Sequence, residues 1–164
     1  KALPGLTAKV FRTYHATTVV RNSLAQNSQF TPDTPVFEKE YVAKRANLEA
    51  AITCNHKRTP PKTWEQSLAN KEQALALLET TEAKNDKAQA RLQERIHKAR
   101  RQLELATATR DYNLGTSLKN YIDPRVYKNW GQQVDFEWKR LYTTALQRKF
   151  AWVEQTEEAE EEAE

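Results

Sequence analysis

The apolar positions fall into three stretches of different pattern. From Lys1 to about Thr63, Val10, Phe11, Tyr14, Thr17, Thr18 and Leu24 predict a helix with one apolar face, although its β-branched residues are poor helix formers. A polar loop punctuated by Pro32 and Pro35 follows. Residues 38–54 read as a second helix, with Tyr41, Ala43, Leu48, Ala51 and Ile52 on its buried side. It leads to Cys54-Asn55-His56, and Pro60-Pro61 enforce an extended stop.

Residues 64–112 differ in kind. Trp64, Leu68, Lys71, Leu75 and Leu78 step by four and three, and Leu92, Ile96, Ala99, Leu103 and Ala106 repeat the step. This is the spacing of a coiled-coil seam. The stretch 80–86 interrupts it, and Asn85 or Asp86 can cap a second helix. An antiparallel helical hairpin is the simplest outcome, with one unbroken helix as the rival. The narrow seam predicts a hairpin that protrudes, with Lys84, Lys87, Arg91, Arg95, Lys98, Arg100 and Arg101 along its second helix.

In the third stretch, 113–153, Asp123 as N-cap and Pro124 in the first turn start a short helix that Gly131 ends. A final helix is expected to carry Phe136, Trp138, Leu141, Tyr142, Leu146, Phe150 and Trp152 as core residues. The fold class is therefore all-α. Residues 154–164 form an acidic tail of a composition that is usually disordered.

Charge changes the picture. The chain of 164 residues has a formal net charge of +4, but the tail holds seven of its 22 acidic groups and no basic one. Residues 1–153 thus carry 26 basic against 15 acidic side chains, or +11. A body this basic points to a polyanionic partner, nucleic acid first. No run of about 18 apolar residues predicts a membrane span, and the first residues carry no secretory-signal pattern. The single Cys54 suits a reducing compartment, and one Cys with three scattered His makes no zinc site. The chain contains no methionine and starts at Lys1, which predicts a fragment or a processed piece.

Three residues stand out chemically: Arg12, His56 and Tyr121. Tyr121 is placed just before a helix N-terminus, where backbone N–H groups favour phosphate. Nearby cations would lower its pKa and neutralise a developing phosphorane. An arginine can bind two phosphate oxygens at once, and a histidine can donate one further hydrogen bond. Together they describe transfer of a phosphoryl group from DNA to tyrosine and back.

Four blocks then carry a resemblance: Gly5 to Tyr14; Cys54-Asn55-His56-Lys57-Arg58 with Pro60-Pro61-Lys62-Thr63; Leu114-Gly115-Thr116-Ser117 through Asn120-Tyr121-Ile122-Asp123-Pro124-Arg125; and Gln147 to Trp152. In this order they closely resemble the C-terminal part of the eukaryotic-like type IB DNA topoisomerases. The resemblance implies the catalytic fold shared with tyrosine recombinases, divided here into the end of the core (1–63), a hairpin linker (64–112), a C-terminal domain (113–153) and the tail. It makes Tyr121 the nucleophile of a 3′-phosphotyrosine bond, Arg12 the second of two arginines on the scissile phosphate, and His56 a donor to a non-bridging oxygen. Lys9, Asn120 and Arg125 would face DNA, Asn120 in the family's drug-sensitive pocket.

The implied reaction is relaxation of supercoiled DNA by strand cleavage, rotation and religation, with no ATP, metal or other cofactor. The implied partners are double-stranded DNA and the N-terminal remainder of the enzyme, in the same chain or as a separate subunit, with no membrane involved. The implied place is inside the cell on chromosomal DNA, in the nucleus or, in a prokaryote, the nucleoid.

Two features depart from the family pattern. Leu118 stands where the family has a lysine three residues before the tyrosine, and Lys119 lies two before. The family's other arginine and its general-acid lysine precede the block near Gly5 and are not among these residues. A non-catalytic DNA-binding or assembly module and a tyrosine recombinase are the rival readings.

Overall fold

The computed structural model describes residues 4–27 and 29–155, so the acidic tail beyond Gln155 lies outside the described residues. Among these are seven α-helices and a short 3₁₀ helix; they contain no strand, only an isolated bridge between Lys57 and Tyr112. The all-α expectation is borne out. The helices are α1 (Ala8–Ala25), α2 (Val36–Thr53), α3 (Trp64–Glu79), α4 (Asp86–Ala108), α5 (Leu114–Asn120), α6 (Arg125–Val134) and α7 (Thr144–Lys149), with the 3₁₀ helix at Trp138–Leu141. The chain divides into two compact units, Lys57–Tyr112 and the described parts of Lys1–His56 with Asn113–Glu164.

In the latter unit, α1 and α2 meet through small residues. Ala16 and Val20 of α1 and Ala43, Ala46 and Ala50 of α2 are completely buried in one cluster. Small side chains let the two backbones approach closely. The face of α1 differs from the expected one: Thr17 and Leu24 are buried, but Val10, Phe11 and Tyr14 are exposed, Tyr14 at 71%. On α2, Ala43, Leu48 and Ala51 are buried as expected, whereas Ile52 is exposed. Lys39 is buried too, its ammonium donating to the carbonyls of Asp135 and Pro32.

The C-terminal aromatics fill the same core, but not from one helix. Trp138 lies in the 3₁₀ helix and Phe150 caps α7, with Tyr142 in the turn between. Trp138 and Phe150 meet the Tyr142 ring edge-on at 5.3 and 5.6 Å. Trp152 is 40% exposed, contrary to its expected core role.

Nor does Gly131 end α6, which continues to Val134. Gly131 is buried where a Cβ would collide with the Phe136 carbonyl, so the glycine serves a close backbone approach. The helix ends instead at Asp135, in the left-handed region at φ 53°, with the Phe136 N–H reaching back to the Gly131 carbonyl at 2.8 Å. Lys39 braces this turn through the Asp135 carbonyl.

In Lys57–Tyr112, α3 and α4 run against one another. Arg100 of α4 pairs with Glu79 at the end of α3 at 2.7 Å, and the Arg110 guanidinium lies 5.2 Å from the Trp64 ring centre. The five seam positions of α3 are all half-buried, and in α4 only Leu92 and Ile96 are fully buried. Asn85 caps α4 by accepting the Ala88 N–H at 2.9 Å. Arg58 donates to the carbonyls of Thr109 and Arg110, a cation at the C-terminal end of α4.

Candidate functional site

Each of the three chemically distinctive residues sits at a structurally determined spot. His56 follows the C-terminus of α2. Asn55 takes the left-handed conformation at φ 56°, which asparagine tolerates better than most residues. The His56 N–H returns to Ala51 O at 2.8 Å and the Asn55 N–H to Ile52 O at 3.0 Å. This helix-ending motif turns the chain so that the imidazole leaves the helix axis.

The His56 carbonyl then accepts the Asn113 N–H at 2.8 Å. Asn113 in turn caps α5, its side chain accepting the Thr116 N–H. The end of α2 and the start of α5 are thereby joined across the segment 57–112. Asn47 of α2 adds a second tie, donating to Leu114 O at 3.1 Å.

Tyr121 is the C-cap of α5, its N–H bonded to Ser117 O at 2.9 Å. This differs from the expected place before a helix N-terminus. Ile122, Asp123 and Pro124 intervene before α6, and the first N–H there, that of Arg125, is taken by the Asp123 carboxylate. The Tyr121 ring lies against His56, with centroids 5.0 Å apart and planes tilted by 31°.

Arg12 projects, exposed, from α1. Its charge reaches both His56 and Cys54. Partial burial, then the Arg12 charge, lowers the His56 pKa below its ordinary value. Burial raises the Cys54 pKa, against the opposing pull of Arg12. Helix α1 is fastened to the segment behind the tyrosine by Thr17, whose hydroxyl accepts the Asp123 N–H at 3.0 Å. Arg12, His56 and Tyr121, distant in sequence, are thus brought to one region by α1, α2 and α5.

The other expected site residues are placed around this centre. Asn120 is exposed at the end of α5, beside Tyr121. Lys119, whose position departs from the family pattern, gives its carbonyl to Lys149 of α7 at 2.7 Å. Lys9 lines a groove of about 390 Å³ with Thr13, Thr17, Arg21 and Asp123. Arg125 forms a two-pronged ion pair with Asp123, its shortest contact 2.6 Å, and lies over the Trp152 ring. Burial alone would raise the Asp123 pKa, but the Arg125 hydrogen bonds and the charges of Arg125 and Arg21 outweigh it and hold the carboxyl below the usual range. No group of three or more potential metal ligands occurs among the described residues.

Comparison with known families matches the model for the eukaryotic DNA topoisomerase I catalytic core to residues 1–91 and that for a C-terminal topoisomerase domain to residues 93–161. The chain belongs to the eukaryotic DNA topoisomerase I family. It is 35% identical over 161 residues to DNA topoisomerase 1 of Drosophila melanogaster, covering 92% of this chain and 16% of that protein. It is 36% identical to DNA topoisomerase 1 of Homo sapiens, covering 92% of this chain and 23% of the relative. For Caenorhabditis elegans DNA topoisomerase 1 the identity is 31%, over 98% of this chain and 22% of the relative. The chain thus spans less than a quarter of the length of these relatives. The type IB resemblance of the four sequence blocks is borne out.

Within this topoisomerase region, residue-by-residue reading missed three residues that fix the geometry. Ser117 is fully buried with its hydroxyl 2.8 Å from His56 Nδ1. Thr17 holds the Asp123 amide, and Asn55 makes the turn before His56. Only Asn55 had a local signal, an asparagine directly after a helix. The other two act across 61 and 106 residues of sequence, where no periodicity reaches.

Proposed function

We propose that this chain is the C-terminal catalytic part of a type IB topoisomerase that acts on double-stranded DNA, with Tyr121 as nucleophile and Arg12 and His56 as ligands of the scissile phosphate. The observation that carries the reading is the convergence of these three side chains from three separate helices, with the His56 and Tyr121 rings 5.0 Å apart.

The chemistry follows from the groups. Tyr121 Oη gives its proton to water as it attacks phosphorus, a bond from Oη to phosphorus forms, and the bond from phosphorus to the 5′ oxygen breaks. The 5′ oxygen leaves as a hydroxyl, protonated by a general acid supplied by the remainder of the enzyme. His56 donates to one non-bridging oxygen, and the Arg12 guanidinium offsets the negative charge that grows on the phosphorane. The phosphodiester is exchanged for a phosphotyrosine ester, so the bond energy is kept and the 5′-hydroxyl reverses the step without ATP or metal. Lys9, Asn120 and Arg125 flank the phosphate on the DNA-facing side.

The division into the end of the core, a linker of 64–112, and a C-terminal domain of 113–153 belongs to the same proposal. The linker adds sequence-independent, salt-sensitive attraction for the duplex. Lys84, Lys87, Arg91 and Arg95 support that role, since they line one groove of about 440 Å³ on the α3–α4 unit. The working place is inside the cell, on chromosomal DNA in the nucleus, and the N-terminal remainder is the partner. No helix among the described residues is long and apolar enough to cross a membrane.

The test is relaxation of supercoiled plasmid in EDTA without ATP, by the intact protein that contains this chain. Tyr121→Phe is expected to abolish both relaxation and the covalent DNA adduct. Full activity in that variant overturns the assignment, and strand exchange between two specific sites would favour a recombinase instead.

A further inference from the structure

Ser117 differs from the other residues of the site in being wholly inaccessible to solvent. Two of its groups point into the site. Its hydroxyl oxygen lies 2.8 Å from His56 Nδ1, and its carbonyl accepts the N–H groups of Tyr121 and Ile122 at 2.9 and 3.0 Å. One buried residue of α5 thereby touches both the histidine ring and the backbone that carries the tyrosine.

We propose that Ser117 is a positioning residue that keeps His56 Nε2 a hydrogen-bond donor toward the scissile phosphate. The proposal rests on the reading of His56 as a phosphate ligand. The neutral imidazole has one N–H, on either nitrogen, and only the tautomer with the proton on Nε2 can donate from that side. The partner of Nδ1 decides between them. A carbonyl or carboxylate there would demand the Nδ1 proton and leave Nε2 a bare acceptor, repelled by a phosphate oxygen. A hydroxyl makes no such demand.

Among the described residues, the Ser117 hydroxyl has His56 Nδ1 as its hydrogen-bond partner. Leaving its proton without an acceptor in a buried place would cost about 1–3 kcal/mol. Donation from Ser117 to Nδ1 therefore places the ring proton on Nε2. When the ring is charged, the hydroxyl rotates and accepts from Nδ1, and Nε2 still donates. Among the described residues, the titratable and charged groups that act on the ring are Arg12 from α1 and Tyr121 at the end of α5. Burial and the Arg12 charge both disfavour the imidazolium, and the neutral ring is the state that needs its tautomer set.

The assignment is tested directly on the 164-residue chain labelled with ¹⁵N-histidine, the His56 signals being identified by their loss in His56→Gln. Above the ring's titration, a pyridine-type Nδ1 and a pyrrole-type Nε2 are expected. A pyrrole-type Nδ1 overturns the proposal, and the spectrum requires neither DNA nor a Ser117 variant. In the intact protein, Ser117→Ala is expected to slow DNA cleavage roughly tenfold. That loss shrinks as the pH falls and the ring gains its second proton, and Ser117→Thr, which keeps a hydroxyl, recovers most of the rate. Equal losses in both variants at every pH overturn it. Failure of the functional reading looks different: Tyr121→Phe would then leave relaxation intact, whatever tautomer the spectrum reports.

Discussion

The two compact units of this chain bury their side chains in opposite ways. In Lys57–Tyr112, α3 has no fully buried residue and α4 has two, Leu92 and Ile96. Its ends are defined by polar devices: the Asn85 cap, the Arg58 contacts to the carbonyls of Thr109 and Arg110 just past α4, and the Arg100–Glu79 pair. The unit that holds Arg12, His56 and Tyr121 is instead organised around Tyr127, Val20, Val134 and a set of alanines with no exposure at all. A thin seam reads as a repeat because each turn does the same thing. A dense core does not, because each residue in it solves a different packing problem. Phosphate chemistry, which needs side chains held to fractions of an ångström, is expected on the second kind of scaffold.

This contrast can be broken by mutation. The largest effect is expected from Tyr127→Ala, which opens a cavity at the centre of the core and removes the hydroxyl bond to Ala43 O. A loss of about 3–5 kcal/mol is expected in denaturant melts, with amide protection falling around α1, α2 and α6. Next comes Gly131→Ala, whose new methyl meets the Phe136 carbonyl. It should cost about 1–3 kcal/mol, because backbone and not a flexible side chain must move. Asn85→Ala removes a cap in the other unit and should cost about 1 kcal/mol, read as faster amide exchange in the first turn of α4. Exchange around His56 and Tyr121 should not change; if it does, the units are not energetically separate. The smallest effect is expected from Arg100→Ala. Its ion pair is largely solvent-exposed, so the change should stay below about 0.5 kcal/mol in a melt.

Legibility in the sequence follows the same contrast. The seam of α3 was readable to the residue, from Trp64 through Leu78, since half-burial every three or four positions is what the pattern states. On α1 the largest apolar residues misled. Val10, Phe11 and Tyr14 are exposed, while the packed face uses Ala16, Thr17, Val20, Ser23 and Leu24. Hydrophobicity ranks residues by what burial would gain, but here close helix approach selects by size. The aromatics from Phe136 to Phe150 are core residues, as their hydrophobicity predicts, yet their spacing misleads by also fitting one helix. A 3₁₀ turn and the short α7 present them instead.

The candidate groups Arg12, His56 and Tyr121 stand in the sequence blocks, but the bonds that hold them do not. The bonds from Ser117 to His56 and from Thr17 to Asp123 exist only once the core has brought α1, α2 and α5 together. A serine and a threonine on helices carry no mark of such a duty in their local sequence.

The bond from the Asn113 amide to the His56 carbonyl has a consequence for how this region can change over time. It closes the neck of a long excursion with main-chain atoms, which every substitution at those two positions except a proline at 113 preserves. Lengthening or shortening the excursion beyond the neck alters only the entropy of closing a loop, about 0.6 kcal/mol for each doubling of its length. The segment between can thereby change in length while the histidine on one side of the neck and the tyrosine on the other keep a constant register.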